Sequence, residues 1–168
     1  MNEQEFIQRY LAGERDFSGA DLEGISLDGS NPNLLEILPT VSLNEEDSNP
    51  RIILQDLNLA GANLKNIKFG YINLENVNLS ESVFDSLDFH NSHFTNVDFT
   101  NVQVRDDSCW KKTSFVNCNF FQVQLQNISL SEVVFHNCNL ERANIKFYEL
   151  YNTNFESYNL RQFQLTGN

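Results

Sequence analysis

The chain has 168 residues, a hydrophobic content of 40% and a formal net charge of −12, from 23 acidic and 11 basic residues. This length suits one domain, and the negative charge disfavours direct binding to the phosphates of a nucleic acid. No run approaches the ~18 apolar residues of a membrane-spanning helix, and the acidic start over residues 1–5 is unlike a signal peptide. We therefore expect a soluble, cytoplasmic protein that does not bind a membrane.

The first predicted element is a helix over residues 2–12. Asn2 can serve as its N-cap, Glu5 follows three residues later as in a capping box, and Gly13 can end the helix. One face carries four large apolar residues, Phe6, Ile7, Tyr10 and Leu11. A helix with one apolar face packs on another apolar surface, which the rest of the chain has to supply.

The segment from Leu59 to Leu165 repeats with a period of five. A large apolar residue returns at every fifth position, with a single slip of one residue, through Leu59, Leu64, Phe69, Leu74, Leu79, Phe84, Phe89, Phe94, Phe99, Val104, Trp110, Phe115, Phe120, Leu125, Leu130, Phe135, Leu140, Ile145, Leu150, Phe155, Leu160 and Leu165. A period of five fits neither a helix, at ~3.6 residues, nor a strand, at ~2.

Two further registers explain this period. The residue two positions before each large one is small or β-branched, as at Ala62, Ile67 and Val77, and the residue between them is polar, often Asn or Asp. This in, out, in alternation is that of a very short strand. The other two residues must turn the chain, and the second is often Gly or Asn, which tolerate a positive φ. Short strands joined by tight turns predict a parallel β-solenoid.

The five-residue units resemble a known family. Residues 62–66 (ANLKN) and 20–24 (ADLEG) resemble the A(D/N)LXX unit of pentapeptide-repeat proteins. The resemblance covers about 120 residues. It implies an all-β fold, a right-handed quadrilateral parallel β-helix with four units in each coil. The leading helix is similar to that of short pentapeptide proteins of the cyanobacterial type, and we expect it to cap the first coil.

The repeats divide a single domain, residues 1–168, into segments. After the capping helix over 2–12, residues 15–27 hold the first repeats, residues 28–53 form an inserted acidic loop, and residues 54–165 hold the remaining repeats. The loop contains all three prolines of the chain and the acidic run Glu45, Glu46 and Asp47. Proline and a run of like charges are typical of an exposed loop, so we expect these three acids to be available to a partner.

The single slip in the period lies at residues 105–109. Val104 and Trp110 are six residues apart instead of five, so one extra residue makes a local bulge. Trp110 is also larger than the usual inward residue. Either the bulge accommodates Trp110 inside the coil or Trp110 swings outward, and the sequence leaves both open.

The C-terminal repeats become aromatic. Tyr148, Tyr158 and Phe163 replace smaller residues at the small inward register, while Phe147 and Tyr151 add outward aromatic surface. No capping helix follows the last repeat, and aromatic residues are favoured at the cores of interfaces. We expect a monomer whose last residues fold over the coil, and a weak end-to-end homodimer is the alternative.

The residues that could act in catalysis or bind a metal form no pattern that predicts a catalytic, metal or cofactor site. We therefore expect that the protein is not an enzyme. Three cysteines, an odd number, argue against a disulfide framework. Cys118 and Cys138 are twenty residues apart at the same register, so we expect them to stack as reduced core residues. The other candidates for catalysis or metal binding lie at solvent-facing or turn positions without a cleft: His90, His93, His136, Asp85, Asp88 and Asp98.

Two functions remain. We expect a rigid, non-catalytic scaffold for an unknown protein partner; the alternative is a DNA mimic that modulates a type II topoisomerase, as gyrase-protecting pentapeptide proteins are thought to do. Residues 1–56 carry twelve acids and three bases, net −9, whereas residues 57–168 carry eleven and eight, net −3. A phosphate mimic needs acid along the coil, so this distribution favours the scaffold. The candidate interaction residues are Glu45, Glu46, Asp47, Tyr148, Tyr151, Tyr158 and Phe163.

Overall fold

A computed structural model describes residues 1–23, 25, 52–67, 69–104 and 107–167. Except for its last two residues, the predicted acidic loop lies outside this part of the chain, together with Glu45, Glu46 and Asp47. The described residues form helix α1 (Glu3–Leu11) and strands β1 (Ile52–Gln55), β2 (Phe69–Gly70), β3 (Ile72–Glu75), β4 (Val83–Phe84), β5 (Phe89–His90), β6 (His93–Thr95), β7 (Gln103–Val104), β8 (Ser108–Lys111), β9 (Ser114–Val116), β10 (Gln124–Ser131), β11 (Val134–His136), β12 (Asn144–Tyr151), β13 (Asn154–Glu156) and β14 (Gln164–Gly167). Strand β1 thus begins two residues before the predicted return to the repeats.

Helix α1 begins and ends as its capping residues predict. The Oδ1 atom of Asn2 accepts a hydrogen bond from the Glu5 N–H at 2.8 Å. At the other end Gly13 has a φ of 98°, a left-handed conformation that glycine adopts without a steric penalty. Its N–H donates to the carbonyl of Tyr10 at 3.0 Å, which closes the last turn.

Three side chains of α1 fix it on the first coil. Phe6, Ile7 and Tyr10 are buried, and the ring of Phe6 lies 4.7 Å from the ring of Phe17. The Tyr10 hydroxyl accepts a hydrogen bond from the last backbone N–H of β1 at 3.3 Å. Leu11 is 52% exposed, so the prediction that it shares the buried face is wrong. It stands ~100° round the helix from Tyr10, and the helix buries a narrower stripe than the sequence pattern suggested.

The strands stack in parallel, in steps of twenty or twenty-one residues. Leu54 pairs with Leu74, which pairs with Phe94. Strands β1, β3, β6, β9, β11 and β13 form a six-stranded sheet on one face. The eight-stranded sheet covers two faces: β2, β5 and β8 lie on one, β4, β7 and β14 lie on the other, and the long strands β10 and β12 run across both. Single parallel bridges, such as Asn58 to Asn78, hold the fourth face. The predicted all-β fold, a four-sided parallel β-helix with a capping helix, is confirmed.

Inward side chains fill the coil. The predicted column of Leu59, Leu79, Phe99, Phe120 and Leu140 is buried. Leu160, predicted as its sixth member, is 48% exposed, because no described coil lies beyond it. The last coil therefore keeps the repeat pattern of the others but not their burial.

A second inward column is built of stacked phenylalanine rings. The ring centroids of Phe94 and Phe115 are 5.0 Å apart, those of Phe115 and Phe135 are 5.1 Å apart, and those of Phe135 and Phe155 are 4.8 Å apart. The planes of successive rings are within 17° of each other. The ring spacing is close to the ~4.8 Å separation of paired strands, so backbone pairing and ring stacking reinforce one another.

Residues at positive φ turn most corners. Gly61 and Asn96 take φ values of 65° and 54°, as the sequence predicts, but Tyr71, Glu81 and Arg142 adopt the same conformation with φ values of 53°, 59° and 58°. This conformation strains residues other than glycine and asparagine. The backbone hydrogen bonds between coils hold the chain in it.

One corner carries a ladder of asparagine side chains. The Nδ2 group of each residue donates to the Oδ1 atom of the residue one coil earlier, at distances of 2.7–3.3 Å, through Asn76, Asn96, Asn117 and Asn137. Asp56 accepts the first bond, from Asn76, at 2.9 Å. Asparagine at these corners therefore serves both the turn and the stack.

Trp110 points into the coil, which settles the alternative that the sequence left open. Its side chain is 1% exposed, and its Nε1–H donates to the carbonyl of Leu87 at 2.8 Å. Trp110 pairs with Phe89, twenty-one residues earlier, so the extra residue of the slip lies before β8. A buried indole N–H needs an acceptor, and the backbone of the preceding coil supplies it.

We predict that Phe115→Asp unfolds the coil, because it places an unpaired charge in a filled interior. The loss should exceed the roughly 3–5 kcal/mol of a large-to-small change in a core, measured by chemical denaturation. The matched control is Val134→Asp, at an outward position of the same sheet that is 37% exposed. A Phe115→Asp variant as stable as Val134→Asp would show that the inward register is wrong.

Candidate functional site

The last coil carries most of the exposed apolar surface of the described chain. Eight large hydrophobic residues are exposed among the described residues, and five of them lie in this coil: Tyr148, Leu150, Tyr151, Tyr158 and Leu160, with exposed fractions of 52%, 40%, 62%, 66% and 48%. We call these five residues the end surface. Exposed apolar area that is concentrated in one part of a surface marks interaction sites more often than scattered apolar residues do.

The end surface is exposed because described residues cover its coil on one side only. Tyr158 donates its backbone N–H to the carbonyl of Cys138 at 3.2 Å, so it stands one coil beyond a residue that is fully buried. In an inner coil, a tyrosine at this small inward position would clash with the next coil. At the last described coil there is room for it.

A register shift decides which aromatic residue of β12 faces the core. Ile128 of β10 pairs with Phe147, and Ser129 pairs with Glu149, so Tyr148 has no partner in the preceding strand. Phe147 is accordingly half-buried against the core, and Tyr148 is exposed. The sequence predicted the reverse, because a strict count of five misses the irregularity within β12.

The backbone edge of the last coil is also open. In the preceding coil, the N–H groups of Leu140 and Arg142 donate to the carbonyls of Asn159 and Arg161 at 2.8 and 2.9 Å. The corresponding N–H groups one coil later, on Leu160 and Gln162, have no described coil beyond them. Open strand edges with apolar neighbours are prone to pair with other chains.

The structure brings together some of the predicted interaction residues and separates others. Tyr148, Tyr151 and Tyr158 belong to the end surface, whereas Phe163 is half-buried, with its ring 5.7 Å from that of Phe155. The sequence analysis missed Leu150 and Leu160, which it assigned to the core. Their place in the last period of the repeat was the signal that could have identified them.

The histidines differ in their surroundings. His136 is exposed, and its Nδ1 atom lies 3.1 Å from Glu156 Oε2. Its hydrogen bond lowers the pKa of the Glu156 carboxyl. His93 is half-buried, with Nδ1 2.5 Å from Ser114 Oγ, and burial lowers its pKa. The prediction that all three histidines point to solvent is therefore wrong for His93, because the side chains of the adjacent coils flank it.

The three cysteines differ in burial. Cys109, Cys118 and Cys138 are free thiols, and the last two are buried. Burial raises the pKa of the Cys118 thiol, so it stays protonated at neutral pH. Within the described ranges, no group of three or more His, Cys, Asp or Glu side chains is placed to hold a metal ion. Those ranges also contain no helix with the length and apolar character that a membrane crossing requires.

The stack of short parallel strands, with an apolar residue inward at every fifth position, defines a repeat protein of the β-helix class. The family model for pentapeptide repeats matches the chain in eight copies, over residues 62–101 and 118–156. The chain is a pentapeptide-repeat protein.

Two solved structures of pentapeptide-repeat proteins are similar to the chain. HetL, a protein involved in heterocyst differentiation regulation from the cyanobacterium Nostoc sp. strain PCC 7120, is 13% identical, over 98% of this chain and 94% of that one, with a TM-score of 0.27. Rfr23, from the cyanobacterium Cyanothece 51142, is 19% identical, over 96% of this chain and 95% of that one, with a TM-score of 0.28. No curated protein matches this chain.

Proposed function

We propose that this protein is a non-catalytic scaffold that binds another protein through the end surface, in the cytoplasm. One observation carries the proposal: three tyrosines and two leucines are exposed together on a coil whose backbone edge is open. A partner that covers this coil removes apolar area from water. The free state of all three cysteines supports a reducing compartment.

The size of the end surface bears on the partner. A tyrosine buries roughly 150–250 Å² when fully covered, so three that are half to two-thirds exposed offer on the order of 300 Å². Leu150 and Leu160 are smaller and less than half exposed, so they add less than this. A stable interface takes about 800 Å² from each partner. Two copies that met only at this surface would fall short of that area, which supports a monomer over an end-to-end homodimer. A different partner can reach past the rim of the coil.

The rest of the described surface supports a role without catalysis. Asp88 accepts a hydrogen bond from the Cys109 backbone N–H at 2.7 Å, and Asp98 accepts one from the Thr100 backbone N–H at 2.9 Å, so both carboxylates bind the backbone of the coil. Cys109, the most accessible thiol, has its pKa raised by burial, which makes it a poorer nucleophile at neutral pH.

We predict that Tyr158→Glu abolishes partner binding while the fold is retained, because it places a charge at the most exposed member of the end surface. The test is capture of cytoplasmic proteins by immobilised wild type and by two variants, followed by measurement of affinity for the captured protein. The control, Val134→Glu, puts the same charge on a side face of the coil. A partner that binds all three proteins equally would contradict the proposed site.

Sedimentation of the same proteins over a concentration series separates the two kinds of partner. The proposal expects a monomer for wild type throughout. A dimer that forms in wild type and not in Tyr158→Glu would identify a second copy as the occupant.

The alternative function is a DNA mimic that modulates a type II topoisomerase. The charge pattern along the coil distinguishes it from the scaffold. On the face held by single bridges, the outward column runs Asp16, Asn58, Asn78, Asp98 and Asn119. Neutral amides thus separate the two carboxylates of this column, whereas a phosphate backbone carries a charge at every step. This pattern supports the scaffold over the mimic.

We predict that the purified protein at micromolar concentration leaves DNA supercoiling by gyrase unchanged, because its described coil lacks a continuous acidic stripe. The control is a pentapeptide protein that is known to inhibit the enzyme under the same conditions. Potent inhibition by this chain would favour the DNA mimic over the scaffold.

A further inference from the structure

Strand β12 is paired along both sides in its first half only. On one side, β10 pairs with β12 from its first residue to its last. On the other side, β14 pairs with the first half of β12, and the last pair joins Gly167 to Phe147. Within the described part of the chain, no strand lies on this side of the second half, residues 148–151. We call this second half, together with Asn152, the open edge.

The open edge presents backbone donors. In the preceding coil, the Glu132 N–H donates to the carbonyl of Tyr151 at 2.8 Å. Asn152 holds the position of Glu132 one coil later, and no described carbonyl lies beyond it. Leu150 holds the same position in the repeat as Leu140, whose N–H also donates to the next coil. Donors on alternate residues form the edge with which a further strand pairs.

These donors select an extended partner over a helical one. A helix bonds its backbone groups to one another, so its side offers no carbonyl to a neighbouring strand. A helix laid over the open edge would bury the N–H groups of Leu150 and Asn152 without acceptors, and an unpaired buried N–H costs free energy. An extended segment supplies carbonyl groups at every second residue while it covers Leu150.

Glu149 determines which side chains fit the open edge. It is exposed on the outward side of β12, and its Oε2 atom accepts a hydrogen bond from Ser129 Oγ at 2.7 Å. Ser129 belongs to the preceding coil, so this bond comes from the covered side. A basic residue on an added strand would lie on the other side of Glu149, and opposite charges directly across two strands attract. The net charge of −12 also favours a basic segment.

We propose that the partner of the end surface contributes an extended segment that pairs with the open edge, in line with β14. The segment places a basic residue opposite Glu149 and a large apolar residue opposite Leu150. This inference rests on the proposed function, because it describes how the partner binds the same coil. A partner that covers Tyr158 and Leu160 through side chains alone would satisfy the proposed function and not this inference.

The test is a titration of the ¹⁵N-labelled protein with a six-residue peptide of alternating lysine and leucine, with blocked ends, followed by NMR. We expect the backbone N–H resonances of Leu150 and Asn152 to shift and to show the short proton–proton contacts with the peptide backbone that paired strands give. Glu149→Gln should weaken binding about threefold, as the loss of one cross-strand ion pair would. The matched control, Glu75→Gln, removes an exposed carboxylate from an inner coil and leaves the affinity unchanged.

A second peptide, with three leucines followed by three lysines, has the same composition without the alternation. Binding of the alternating peptide alone, at the open edge, supports the proposal. Equal binding of both peptides, equal binding by Glu149→Gln and wild type, or no shift up to millimolar peptide would each overturn it. Pairing of the open edge in a dimer of the protein alone would overturn it in favour of a second copy.

The capture experiment with Tyr158→Glu separates the failure of this inference from the failure of the proposed function. A captured protein that Tyr158→Glu no longer binds, combined with no response to the alternating peptide, would leave the proposed function standing and overturn strand addition. Equal capture by wild type and Tyr158→Glu, combined with no response to the peptide, would contradict both.

Discussion

Backbone hydrogen bonds between successive coils, whose paired residues are twenty or twenty-one positions apart, are the constraint on which this structure depends. They hold each short strand over the one before, at a separation that lets phenylalanine rings stack. They also hold residues such as Tyr71 and Glu81 at positive φ, which isolated turns would avoid. Any residue that breaks the stack therefore affects turns, strands and core together, and each coil depends on its two neighbours.

The same constraint explains where function can lie. In the inner coils, backbone groups bond to the neighbouring coils and inward side chains pack on one another. The surface of these coils therefore consists of turn residues and outward polar residues. Many of these are occupied as well, since Asn76, Asn96 and Asn117 bind along a ladder. Two parts of the described surface differ from this pattern. One is the last described coil, whose outer side no described residue covers, and the other is the face where glutamine replaces the turn-forming Asn and Asp.

The period of five, with a small inward residue two positions earlier, was sufficient to predict a parallel β-solenoid, and the resemblance to pentapeptide repeats implied its four sides. The sequence also predicted the capping helix, because Asn2 and Gly13 cap its two ends through contacts with nearby residues. It failed where the count of five is not strict: the exchange of Phe147 and Tyr148 follows from a register shift that no single residue announces.

Errors at Leu11, His93 and Leu160 have a different origin. Burial at these positions depends on what lies beside or beyond them in space. Leu160 holds the same position in the repeat as Leu140, yet Leu160 is 48% exposed and Leu140 is 0% exposed. Repeat periodicity describes one coil at a time, so it contains no information about which coil is last among those that stack. The candidate site was accordingly predicted only in part, through its tyrosines.

Hydrogen exchange at individual backbone amides tests the central claim most directly. The Leu140 and Arg142 N–H groups are bonded to the next coil, and we expect them to exchange at least about a thousandfold more slowly than those of Leu160 and Gln162, since protection follows the cost of opening each bond. Equal protection at the four sites would contradict the account, because it would mean that the last described coil is covered and that the end surface is not free to bind.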